Sequence, residues 1–187
     1  AASMADATVA ERKSVLAGAH GGSPSVRLRP AEPATRVSLR AGAEDVAALS
    51  KALGVKLPVK PKGSSSTKGR MAFWLGPDEW LLIDDKGGDL MGDCAASGVV
   101  HSATDVSHRN TAIIVSGPGA ANTINAGCAL NLSLATFPVG AVTRTVFGKI
   151  EIVLYRIDEE TFRVECWRSF AEYAFGLLAE AAEDAAA

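Results

Sequence analysis

The sequence predicts an α+β domain built from two related halves. Two observations carry that expectation. Between residues 35 and 106 the residue pattern runs strand, helix, strand, strand, helix, strand. A similar order restarts at Thr111 and closes with an amphipathic stretch, Ser169–Ala182. The first series is the split β-α-β unit of ferredoxin-like folds, so the chain reads as two β-α-β-β-α units, about 35–106 and 110–187, within one domain of residues 25–187.

Each element has its own signal. Arg36–Arg40 alternates apolar and polar residues, as a half-buried strand does. Ala43–Leu53 follows as a helix with Val46, Leu49 and Leu53 on one stripe, acids Glu44 and Asp45 near its start and Gly54 beyond it. Pro58–Lys68 reads as a polar loop. Met71–Leu75 and Trp80–Asp84 form a hairpin, with Pro77 at the second position of a type I turn. Asp89–Ala96 is a short helix and Val99–Val106 a strand that continues to Arg109.

In the second half Thr111–Val115 is a strand, Gly119–Ala126 a helix, and Ala141–Phe147 and Lys149–Ile157 a strand pair. Along Thr161–Trp167, alternation puts Phe162, Val164 and Cys166 inward and Arg163, Glu165 and Trp167 outward. The closing helix carries Phe170, Tyr173, Ala174, Leu177 and Leu178 on one face, and Ser169 with Glu172 makes a capping box. This half has an extra strand relative to the first.

Composition bounds the function. A chain of 187 residues with 48% hydrophobic and 21% charged residues is ordinary for a globular protein. Its net charge of −2 supplies no basic field, so nucleic acid and anionic membranes are not expected partners. No apolar run reaches the roughly 20 residues of a spanning helix. The first residues lack a signal peptide's basic start and apolar core, and a cytoplasmic location is the default. Residues 1–24, rich in Ala, Gly and Ser, predict a flexible tail that a partner could order, with a marginal helix over Ala7–Ala17. Cys94, Cys128 and Cys166 are too far apart for close ligand pairs and read as reduced, buried thiols.

Several residues look chemically loaded. In a strand, Ser107 and His108 point to opposite faces and cannot pair as nucleophile and base, while Asp105, Ser107 and Arg109 share a polar row. His108 fits a packed histidine better than a base. With three scattered histidines, a His-based metal site is not expected. Gly117-Pro118-Gly119 is a helix start rather than a phosphate cradle, because Pro118 has no N–H and no Lys-Ser/Thr pair follows. Arg144 shares a strand face with Val142 and Val146, so it meets either an internal carboxylate or a partner. Arg168 invites the same two readings. Trp80 and Trp167 are candidate interface aromatics, and Trp74 fits the core.

The string Asp105-Val106-Ser107-His108-Arg109, followed by an apolar strand and Gly117-Pro118-Gly119-Ala120, resembles the gamma-subunit family of heterotetrameric sarcosine oxidases. Leu75–Leu82, Phe137–Gly140, Arg144-Thr145 and Arg168–Ala171 extend the likeness, which spans roughly Val37 to Leu178. That family is related to the folate-binding domain of the glycine-cleavage T-protein. The resemblance implies membership of a complex that oxidatively demethylates sarcosine to glycine and hydrogen peroxide and, with tetrahydrofolate, forms 5,10-methylenetetrahydrofolate. It implies alpha, beta and delta subunits as partners, alpha being the main contact. FAD, FMN, NAD, folate and zinc are expected in those other subunits, and no catalytic, cofactor or metal site is expected in this chain.

The T-protein group has an acidic residue after a glycine in the second half. If Gly148 matches that glycine, the expected acidic pair is reduced here to Glu151 followed by Ile152, which argues against folate chemistry. Two other readings stay open: a folate-dependent aminomethyl transfer domain acting alone, with Glu151 or Asp105 as its acid, and a scaffold for another amine or one-carbon dehydrogenase.

Overall fold

The computed structural model describes residues 14–184. Among these residues, eleven strands and four α-helices stack in four layers, helices outside and two antiparallel sheets within. The N-terminal hairpin is β1 (Gly21–Ser23) and β2 (Val26–Pro30). The first half then runs β3 (Thr35–Ala41), α1 (Val46–Leu53), β4 (Ser64–Thr67), β5 (Arg70–Gly76), β6 (Glu79–Asp84), α2 (Leu90–Ala96) and β7 (His101–Asp105). The second runs β8 (Asn110–Ser116), α3 (Ala120–Asn125), β9 (Val142–Phe147), β10 (Ile150–Arg156), β11 (Thr161–Trp167) and α4 (Ala171–Asp184).

The halves are more alike than their patterns suggest. One sheet has the order β4-β5-β6-β3-β7, the other β1-β2-β8-β11-β10-β9. Reading the second from its far edge, β9, β10, β11 and β8 take the places of β4, β5, β6 and β3. The extra strand of the second half therefore has a counterpart, β4, inside the segment expected to be a polar loop. The place of β7 is filled by β2, from before the first half. A tail ending at residue 24 is accordingly too long: Gly21–Ser23 pairs with β2, and Leu16 is buried against the helix side of this sheet. Most of the expected helix Ala7–Ala17 lies outside the described residues, and 15–18 form a turn.

Strand alternation sorts the core into three compartments. Val37, Leu39, Trp80 and Leu82 meet α1 and α2 on the outer face of one sheet. Ile113, Val115, Ile152, Phe162 and Val164 meet α3 and α4 on the outer face of the other. Met71, Phe73, Leu81 and Ile83 face Val142, Val153 and Tyr155 between the sheets. Phe73 and Tyr155 pack at 4.6 Å between ring centroids, a contact worth about 0.5–1.5 kcal/mol beyond area burial. Because β5 and β6 are covered on both faces, their apolar runs are nearly continuous.

Local chemistry fixes the helix ends. Asp89 caps α2 by accepting from the Gly92 amide at 2.8 Å. Ser169, by contrast, sits inside a 3-10 turn, Arg168–Phe170, which starts at Trp167 without a side-chain cap, so the expected capping box does not form there.

Candidate functional site

A buried cluster of charge lies between the two sheets. Arg36 on β3 reaches across to Glu165 on β11, Nε to Oε2 at 2.8 Å and Nη2 to Oε1 at 3.1 Å. Arg163 donates from Nε to the same Oε1 at 2.7 Å and comes within 3.6 Å of Asp85. Arg36, Arg163 and Glu165 are all buried. The side of β11 expected to face outward is thus the inter-sheet seam, and its charges are paired within the molecule.

A cleft of about 230 Å³ opens beside this cluster, lined among others by Glu79, Arg109, Arg144, Glu151, Glu165 and Trp167. Arg144 on β9 meets Glu79 on β6 at 2.5 Å and spans the cleft from one half to the other. It is the internal ion pair that the sequence allowed, with a third of its side chain still exposed. Glu151 is exposed at the same cleft and makes no ion pair among the described residues. Ile152 is buried on the opposite, helix-covered face. Ile152 borders the cleft as well, but strand alternation turns its side chain into the helix-covered core.

The remaining candidates separate. Trp80 is completely buried, and its Nε1 donates to the Pro58 carbonyl at 2.7 Å; it is a core residue and cannot meet a partner. Trp167 is 42% exposed, with Phe170 stacked on it at 6.0 Å between centroids and the Arg109 guanidinium 5.0 Å from its ring centre. Arg168 is exposed at the start of the turn into α4, its backbone N–H bonded to Arg109 O at 2.7 Å. Trp74 is partly buried against the α1–α2 compartment.

Ser107, His108 and Arg109 form a turn between β7 and β8 instead of extending the strand. Ser107 Oγ accepts from the Arg36 amide at 2.9 Å, and Asp105 accepts from the Ser107 amide at 2.8 Å, so these side chains hold the turn. His108 is exposed rather than packed. The amides of Gly117 and Gly119 are consumed by the Glu160 and Ser25 carbonyls, which leaves no cradle for phosphate. Gly117 has φ 118°, and a Cβ there would run into the Ser25 carbonyl.

The three cysteines are free and buried. Burial, with Asp93 adding to it, pushes the Cys94 thiol up to about 11. Burial, with Glu165 adding to it, pushes Cys166 up to about 12. Neither is poised as a nucleophile. Among the described residues no three His, Cys, Asp or Glu side chains cluster to hold a metal ion. No helix among them is long and apolar enough to cross a membrane.

Two ferredoxin-like halves packed sheet against sheet define a known fold class, that of the glycine-cleavage aminomethyltransferases. The solved aminomethyltransferase T of the glycine cleavage system from Bartonella henselae shares it, with a TM-score of 0.63 over 86% of this chain and 49% of that one, at 16% identity. Within that class the chain belongs to the sarcosine oxidase gamma subunit family, whose model matches residues 40–184. It is 32% identical over 162 residues to the sarcosine oxidase subunit gamma of an Arthrobacter species, covering 84% of this chain and 80% of that protein. The corresponding subunit of Corynebacterium sp. strain P-1 is 30% identical over the same span. A chain of the heterotetrameric sarcosine oxidase of Corynebacterium sp. U-96, solved with pyrrole 2-carboxylate, superimposes with a TM-score of 0.86, covering 94% of this chain and 97% of that one at 28% identity.

Proposed function

We propose that this chain is a non-catalytic gamma subunit of a heterotetrameric sarcosine oxidase, working through contact with the other subunits, chiefly alpha. The reaction of that complex is the oxidative demethylation of sarcosine to glycine and hydrogen peroxide, with capture of the one-carbon unit by tetrahydrofolate. The near-complete overlap with a chain of the corynebacterial oxidase carries the assignment. The state of the cleft supports the absence of chemistry. Two of its carboxylates, Glu79 and Glu165, are engaged by Arg144, Arg36 and Arg163. Its volume of about 230 Å³ falls below the roughly 300–1,000 Å³ of typical small-molecule sites. FAD, FMN, NAD, folate and zinc belong, on this reading, to the other subunits.

One observation favours a second reading, a folate-dependent transfer domain acting alone: Glu151 faces the cleft unpaired among the described residues. Calorimetry separates the two. The purified chain titrated with tetrahydrofolate gives no saturable heat if it is a contact subunit. Micromolar binding, or sarcosine oxidation by the chain without other subunits, overturns the first reading.

A further inference from the structure

One end of the inner face of the β8–β11 sheet carries large apolar side chains that stay exposed. Arg144, Val153, Glu165 and Ala112 form one row across β9, β10, β11 and β8, and that row is covered by the opposite sheet or paired with its side chains. The next row on the same face holds Val146 opposite Glu151, then Trp167 opposite Asn110. No described residue shields it fully: Val146 is 56% exposed and Trp167 42%. Phe170 extends the apolar strip at 40% exposure.

The strip carries one exposed carboxylate, Glu151, beside Val146, and one cation, Arg109, at its Trp167 end. The Arg109 guanidinium lies over Trp167, and its only polar side-chain contact among the described residues is a 3.4 Å bond to the neutral Asn110 Oδ1. An Arg stacked on an aromatic ring is held flat and keeps its N–H edge for a planar carboxylate. Arg109 also borders an open hollow of about 520 Å³ that it shares with Val15, Arg168, Ser169 and Glu172. Exposed Trp and Arg in one patch are the residue types that dominate interface energetics.

We infer that the Val146–Trp167–Phe170 strip with Arg109 is the docking surface for another subunit of the oxidase, one that presents an apolar side chain flanked by a carboxylate. The inference rests on the assembly role proposed above and adds the face and the chemistry of its partner.

The test co-expresses the tagged chain with the alpha, beta and delta subunits and measures how much of them it retains, at low and high salt. Trp167→Ala and Arg109→Glu are compared with Val100→Ala, which alters a residue 86% exposed outside the strip. Each variant's thermal melt is recorded. If Trp167→Ala loses its cooperative melt, Arg109→Glu, a change on an exposed side chain, decides. The expected result is at least a tenfold loss of retained partner for both strip variants, weaker retention of wild type at high salt, and no change for Val100→Ala. Equal retention by wild type and both strip variants overturns this surface and leaves the assembly role standing. Failure of the wild-type chain to retain any subunit overturns both. An isolated wild-type dimer that Trp167→Ala dissociates would make the strip a seam between copies of this chain, and that too refutes the inference.

Discussion

Arg36 and Glu165 join the two sheets through a double hydrogen bond, at 2.8 and 3.1 Å, with both side chains almost fully shielded from water. Glu165 also carries Arg163, so one carboxylate neutralises two buried cations. Removing it leaves Arg36 without its ion pair and Arg163 with Asp85 alone, at 3.6 Å. Breaking one side of a buried pair costs about 3–5 kcal/mol, because the remaining charge stays desolvated. Glu165→Ala is therefore expected to lower unfolding stability by that amount, measured by urea titration. A loss under about 1 kcal/mol would mean that water reaches the seam.

Acid should act on a different pair. Burial raises the Asp84 carboxyl, but hydrogen bonds from the Lys86 amide, Arg70 and the Gly88 amide outweigh it, leaving the group below its ordinary value. A depressed folded-state pKa adds stability that is fully present above the unfolded pKa and is lost as pH falls through the folded one. The loss therefore sets in as pH drops below about 4. Asp84→Asn should be less stable at neutral pH and show a flatter acid limb in urea midpoints between about pH 6 and 2.5. Parallel limbs for variant and wild type would contradict the assignment.

Thiol chemistry gives a third check. Cys94 and Cys166 are buried, with their thiols pushed up to about 11 and about 12. At about pH 8 neither should react with iodoacetamide in the native chain, and both should react once it is unfolded. Rapid native alkylation of Cys166, followed by peptide mass spectrometry, would show that the core between this sheet and its helices opens.

Strand and helix patterning made β3, β11 and α4 legible because their faces differ sharply in polarity, and β8 stood out as a short apolar run. The edge strands were not legible. Ser64–Thr67 is a run of Ser and Thr on the rim of its sheet, and only pairing with β5, invisible to local pattern, makes it a strand. Gly21–Ser23 is hidden for the same reason among Gly and Ser. Arg163 and Glu165 looked solvent-facing because polarity usually marks the outside of a strand, and here a second sheet covers them with matching charges. Trp80 was misplaced as an interface residue because size and aromaticity do not report burial; its hydrogen bond to Pro58 spans 22 residues of sequence. Arg144 and Trp167 stood out correctly as residues needing an explanation, but their neighbours Glu79 and Arg109 come from the other sheet and from a turn.

The central claim is that this chain supplies contact surface and no reacting group. Glu151, the exposed carboxylate of the cleft, is the residue best placed to contradict it. The decisive measurement is sarcosine turnover per mole of assembled oxidase, with tetrahydrofolate present, for wild type and Glu151→Gln. Equal turnover numbers are predicted; a fall of a hundredfold in the fully assembled variant would place chemistry in this subunit.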